Sequence, residues 1–118
     1  MPDHIELGKE GEDLAVEWLL KKGFTILHRN WRYGKLEIDI IAKKENRLHI
    51  IEVKCRHYNR FSHPEESVSK KKFKLLQKAA DEYLSKNPGN EWMQYGIIAI
   101  TKYKNKEPEI FFIEDVYL

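Results

Sequence analysis

Two neighbouring stretches decide how this chain is read: Leu36-Glu37-Ile38-Asp39-Ile40-Ile41 and Ile50-Ile51-Glu52-Val53-Lys54. Both are apolar runs in which strand is expected, yet together they carry three carboxylates and a lysine. Burial strips water from such groups, so charges inside apolar strands are costly unless something compensates them. Side chains along a strand alternate between its faces. Leu36, Ile38 and Ile40 are expected on one face, with Glu37, Asp39 and Ile41 on the other. Ile51 and Val53 likewise oppose Ile50, Glu52 and Lys54. Each strand therefore sets its charges on one side.

The link Lys43-Lys44-Glu45-Asn46-Arg47 is short and polar, which predicts a hairpin. With Glu45 and Asn46 as a two-residue turn, Lys44 pairs with Arg47. Counting back sets Asp39 opposite Glu52 and Glu37 opposite Lys54. Directly opposed Cβ atoms lie roughly 5 Å apart. Two carboxylates at that separation repel unless a cation sits between them. The same spacing also fits an exposed hairpin face on which Glu37 and Lys54 form a surface ion pair of little energetic weight.

Three further features favour a site. Leu7, Leu14, Ala15, Trp18 and Leu19 follow a helical period, so an amphipathic helix is expected over 6–22, ended by Gly23. Glu12 falls at the edge of its apolar stripe, flanked by Gly8 and Gly11, where close backbone approach would justify glycine. Charge is also unevenly spread. Residues 1–53 hold nine Lys/Arg and ten Asp/Glu, residues 54–78 eight and two, and residues 79–118 four and seven. A net charge of +2 thus conceals a +6 block that begins at Lys54. Arg56, Arg60, Lys70 and Lys71 in that block are candidate phosphate contacts. Finally, His57, Tyr58, Arg60, Phe61 and His63 interleave basic and aromatic groups, as a polynucleotide surface would. Cys55, His57 and His63 lack a fourth ligand at zinc spacing, and Cys55 reads as an inward strand residue.

At 118 residues the expectation is one domain spanning 1–118. No apolar run approaches the roughly 20 residues of a membrane span, and the expectation is a chain without a signal peptide, in the cytoplasm. The predicted order is helix (6–22), strands (24–32, 35–43, 48–55), helix (69–86, capped by Ser67 or Ser69) and strands (94–101, 109–113). Strands grouped between helices indicate an α/β sandwich with a mixed sheet.

An acid on one strand followed by Glu52-Val53-Lys54 on the next resembles the signature of the PD-(D/E)xK nuclease superfamily. More specifically, the chain resembles the YraN-like family, itself similar to archaeal Holliday-junction resolvases. The matching stretches are Gly8 to Glu12 with Ala15, Gly23-Phe24, Asn30-Trp31-Arg32, Glu37-Ile38-Asp39, Glu52-Val53-Lys54 with Arg56, and Lys70 or Lys71 with Ala79 and Leu84. Lys35-Leu36 stand where that family commonly has a glycine before Glu37. Gln94-Tyr95-Gly96 replace its common Arg-Phe-Asp.

The resemblance implies a restriction-endonuclease-like sandwich, a mixed central sheet of about five strands flanked by two helices. It implies a metal-dependent DNA endonuclease using Mg²⁺ (or Mn²⁺), acting on branched or damaged DNA. Asp39 and Glu52 would hold the ion with the Val53 carbonyl. Glu12 would hold a second ion or orient a water, and Lys54 would assist at the phosphate. Glu37 would be an outer acid or the partner of Lys54. A homodimer follows by analogy with the resolvases. The alternative is a non-catalytic nucleic-acid-binding or assembly module on a nuclease fold.

Overall fold

The structure is a computed structural model and describes residues 2–58, 70–89 and 92–114. Helix α1 (Pro2–Lys21) leads into β1 (Thr25–Tyr33), β2 (Leu36–Lys44) and β3 (Arg47–His57). Helix α2 (Lys70–Lys86) then precedes β4 (Trp92–Lys102) and β5 (Glu109–Glu114). The predicted capping serines, Ser67 and Ser69, lie outside the described residues. Among the described residues no helix is long and apolar enough to cross a membrane.

Gly23 ends α1 in the left-handed region, at φ 91°. Its amide reaches the Leu20 carbonyl (3.1 Å), and the Phe24 amide reaches that of Leu19 (3.0 Å). That pair of bonds satisfies carbonyls the last helical turn would otherwise leave open, and only glycine adopts this φ without a Cβ penalty.

The five strands form one mixed sheet in the order β1-β2-β3-β4-β5. All neighbours are antiparallel except the parallel pair β3–β4. A parallel pair needs a long crossover, which is why α2 falls between those two strands. The helices cover opposite faces. Phe73, Leu76, Ala80 and Tyr83 of α2 pack on Ile41, Leu48, Ile50 and Ile97. Ala15 and Leu19 of α1 pack on Ile40, Ile51, Ile98 and Ile100. β3 and β4 are buried on both faces, so they read as nearly continuous apolar runs.

The hairpin forms as its sequence predicts. Glu45 and Asn46 have φ of 51° and 65°, the left-handed pair that a two-residue turn matched to strand twist requires. Register runs from Lys44–Arg47 to Ile40–Ile51.

The simple alternation expected for β2 does not hold. Leu36 and Ile38 pack on the α2 side, whereas Ile40 and Ala42 pack on the α1 side. The phase changes at Asp39. Its neighbour level on β1 is Asn30, between the pairs Arg29–Ile40 and Trp31–Ile38, and Asn30 stands at φ 51°. Arg29 accordingly bonds Asp13 on α1 (2.7 Å), while the Trp31 ring meets Tyr83 on α2 at 5.4 Å. A left-handed residue turns β1, β2 turns with it, and the paired β2–β3 ladder ends at Ile40–Ile51.

Close approach explains one of the two early glycines. A Cβ on Gly11 would lie 2.4 Å from Cys55 Cβ, whereas one on Gly8 would meet open space. Gly11→Ala is therefore expected to push α1 off β3 and cost about 1–3 kcal/mol as overpacking. Gly8→Ala should instead stabilise by roughly 0.5–1 kcal/mol. Urea denaturation of both variants checks the contrast, and adding Cys55→Gly to Gly11→Ala should recover part of the loss.

Candidate active site

The chemistry gathers where the β2–β3 ladder stops. Freed from strand pairing, the Asp39 carboxylate takes the place of a ladder carbonyl. Its Oδ2 accepts a hydrogen bond from the Val53 amide at 2.8 Å. Glu52 follows Ile50 on the α2 face of β3 and is buried, with 7% of its surface exposed. A buried carboxylate needs compensation, and two lysines provide it. Lys72 Nζ, from the first turn of α2, stands 2.6 Å from Glu52 Oε1. Lys54 Nζ stands 3.9 Å from the same oxygen. The two lysines are also near enough for each to shift the other's proton affinity.

These neighbours shift the protonation of Asp39 and of both lysines. Burial, then the charge of Glu52, pushes the Asp39 carboxyl up to about 7. The Val53 amide opposes this, while Glu12 and Glu37 add to it. Burial and the adjacent Lys72 pull Lys54 below the usual lysine range. Burial also pulls on Lys72, but its hydrogen bonds to Glu52 and Lys54 and the attraction of Glu52 and Asp39 outweigh it, so Lys72 moves up. One lysine is thus held as a cation while its neighbour gives up its proton more easily.

Asp39, Glu52 and Lys54 come together as the sequence suggests, and Glu12 on α1 is near enough for its charge to act on Asp39. Glu37 does not partner Lys54. It pairs with Arg32 at 3.4 Å on the exposed hairpin surface, directly across the β1–β2 register. The phase change at Asp39 explains the difference, since the β2–β3 ladder stops at Ile40–Ile51 and no longer sets Glu37 opposite Lys54. The Arg56 side chain is half-buried. Its Nη2 is enclosed and makes no hydrogen bond among the described residues, unlike the freely solvated phosphate contact expected. Lys71 is exposed. Arg60 and the Lys70 side chain lie outside the described residues. Cys55 faces inward onto the α1 cluster, and burial raises its thiol pKa.

Sequence reasoning missed Lys72. The signal was present, because stepping back one turn from Leu76 along the buried stripe of Leu76, Ala79, Ala80 and Tyr83 lands on it. Within Lys70-Lys71-Lys72 only that phase identifies the inward member. A cavity of about 180 Å³ beside Glu52 and Lys72 is bordered by Glu37, Lys35, Leu75 and Leu76.

Among the described residues, no three His, Cys, Asp or Glu side chains stand close enough to hold a metal ion. A divalent ion here would rely on the Asp39 and Glu52 carboxylates, with other positions filled by backbone oxygen and water. A buried acid beside a half-buried one whose ionisation it opposes suits a divalent cation. Mg²⁺ prefers oxygen donors and ordinarily keeps several waters.

A small α/β domain with an acid–acid–lysine group at the opening of a hairpin is the class that fold and site define. The family described as "Uncharacterised protein family UPF0102" matches residues 11–100. The chain belongs to that family. It is 47% identical over 117 residues to a UPF0102 protein of Flavobacterium psychrophilum, covering 99% of this chain and 98% of the relative. It is 41% identical over 126 residues to one from Chloroherpeton thalassium, covering 99% and 97%. Over 104 residues it is 42% identical to one from Phocaeicola vulgatus, covering 88% and 86%.

Proposed function

We propose that this protein is a Mg²⁺- or Mn²⁺-dependent DNA endonuclease of the PD-(D/E)xK type, hydrolysing phosphodiester bonds in branched or damaged DNA. The observation that carries the reading is the placing of Asp39 beside Glu52 in a poorly solvated opening, where burial and the Glu52 charge oppose ionisation of Asp39. Ionisable groups strongly perturbed by burial together with a specific charged neighbour cluster at functional sites.

In this reading Asp39 and Glu52 hold the ion with the Val53 carbonyl, and Glu12 holds a second ion or orients a water. When bound, the ion neutralises phosphate charge and makes water a better nucleophile. Lys54 positions the attacking water or stabilises charge developing on the scissile phosphate. Lys72 keeps Glu52 compensated and oriented. The Val53 amide fixes the Asp39 carboxylate. A symmetric homodimer in the cytoplasm is part of the same proposal, by analogy with the resolvases.

A second reading is a non-catalytic nucleic-acid-binding module, and one observation favours it. Lys72 supplies Glu52 with a positive charge from the chain itself at 2.6 Å. A panel of single-stranded, flapped, four-way and duplex DNA, incubated with millimolar Mg²⁺ or Mn²⁺, separates the two. The nuclease reading requires the wild type to cut at least one member and Asp39→Asn to cut none. Binding without cutting in both proteins establishes the module instead.

Phosphate contacts are assigned to the basic block. Replacing Arg60 and Lys71 with glutamine is expected to weaken duplex binding at low salt. It should also flatten the plot of log affinity against log salt by roughly 0.9 per lost contact. An unchanged slope from a salt titration by fluorescence anisotropy assigns these side chains to a solvated face.

A further inference from the structure

Beyond the acid–lysine group, β3 leads to a feature that phosphate chemistry does not use. The Tyr58 and Tyr103 rings stack with centroids 5.1 Å apart and planes inclined by 28°. The arrangement is fixed from several sides. The Tyr58 amide bonds the Lys102 carbonyl at 2.8 Å, extending the β3–β4 pairing by one residue. The Tyr103 hydroxyl is hydrogen-bonded to Glu109 of β5. Lys106 Nζ stands 4.2 Å from the Tyr103 ring centroid and 3.8 Å from Glu109. Lys102 is tied to Glu10 on α1. Despite this anchoring, Tyr58 leaves 57% of its surface in solvent.

A large aromatic side chain left exposed and held in one orientation forgoes burial worth roughly 1.5–3 kcal/mol. A preoriented ring beside cations is what base stacking requires. Bases stack on aromatic side chains regardless of sequence, and each such contact contributes about 1–3 kcal/mol. Position also matters. Tyr58 lies four residues beyond Lys54, about 13 Å at strand rise. Lys54 and Arg56 share one face of β3 on the way. A strand of nucleic acid whose phosphate lay at Lys54 could set a base on Tyr58 only if that base were unpaired.

We infer that Tyr58 and Tyr103, backed by Lys106, form a stacking platform for an unpaired DNA base next to the phosphate bound at Lys54, and so select single-stranded or flapped DNA over blunt duplex. The inference rests on the nucleic-acid reading above but not on turnover.

The test is binding in EDTA, where no cleavage occurs. The probes are a single strand containing 2-aminopurine, a duplex with a 2-aminopurine overhang, and the blunt duplex. The wild type is expected to quench 2-aminopurine and to bind the single strand at least fivefold tighter than the blunt duplex. Tyr58→Ala should lose on the order of tenfold in single-strand affinity together with the quench. Tyr58→Phe should keep both, because the ring and not the hydroxyl stacks. Tyr103→Ala should fall between them. Blunt-duplex affinity should stay within twofold in every variant. Single-strand binding by Tyr58→Ala equal to wild type overturns the platform, as does wild-type binding without quenching or without preference for the unpaired probe. A wild type that stacks but never cuts with metal present would defeat the nuclease reading and leave the platform standing.

Discussion

Lys54→Ala is expected to lower DNA cleavage by a factor of about 10² or more, the usual cost of removing one charge or proton-transfer group from a phosphoryl-type transition state. Affinity for the same DNA should change by only a fewfold. The structure makes this variant a clean test, because Glu52 keeps its 2.6 Å partner Lys72 when the 3.9 Å partner Lys54 is removed. No buried carboxylate is orphaned, so the fold should persist, as circular dichroism and melting would verify. Lys72→Ala makes the instructive contrast. It takes away the closer cation from a buried acid, and stability should fall along with activity. Should Lys54→Ala cut as fast as wild type at saturating metal, Lys54 has no part in the chemical step. Should it unfold, its role is structural.

The second large effect concerns pH in metal-free protein. Asp39 ionises at about 7 in the fold, against an ordinary value of 3.8. A raised carboxylate pKa means the folded state holds the proton more tightly than the unfolded chain. The associated stability is fully present below about pH 4 and is lost as pH rises through about 7. A shift from 3.8 to about 7 corresponds to a loss of at most about 4 kcal/mol, since each pKa unit is worth about 1.4 kcal/mol. Asp39→Asn removes the titration and keeps an oxygen for the Val53 amide. In EDTA at pH 8 it is therefore expected to melt several degrees above wild type. The difference should close by pH 4. Millimolar Mg²⁺ at pH 8 should raise the wild-type melting temperature and leave the variant unmoved, because the ion stabilises only the state that binds it. Identical melting of the two proteins in EDTA at pH 8 would show that Asp39 carries no such cost. A stabilising loss of a site residue is the usual mark of a fold that trades stability for function.

Much of this architecture was legible in the sequence because its signals are local. The hairpin turn at Glu45-Asn46 lies between two apolar runs, and the pairing of Lys44 with Arg47 fixes every level up to Ile40–Ile51. Gly23 ends α1 where a helix stop was expected, and the charged face of β3 follows strand parity. What escaped was non-local. The phase change of β2 is set by a left-handed residue, Asn30, on a different strand. Asparagine tolerates that conformation without demanding it, so nothing in β2 itself announces the turn. The expected pairing of Glu37 with Lys54 failed for the same reason, as its partner Arg32 comes from the first strand and not the third. Lys72 was concealed by its neighbours, because three consecutive lysines look alike until a helix phase distinguishes them. The departure at Gly96 also gains a local cause. A Cβ there would lie 2.6 Å from the Phe112 ring, so the aromatic from β5 occupies the space that a side chain at 96 would need.

The bond from the Val53 amide to Asp39 Oδ2 makes one backbone proton a resident probe of the site. Elsewhere in β2–β3 an amide is held by a neighbouring carbonyl, whose acceptor strength does not vary with solution conditions. Val53 instead donates to a group that gains or loses charge. Its ¹⁵N–¹H resonance and its solvent-exchange rate therefore follow the state of the carboxylate. A single cross-peak can then follow titration of the acid, or its capture of a cation, with no substrate and no engineered label.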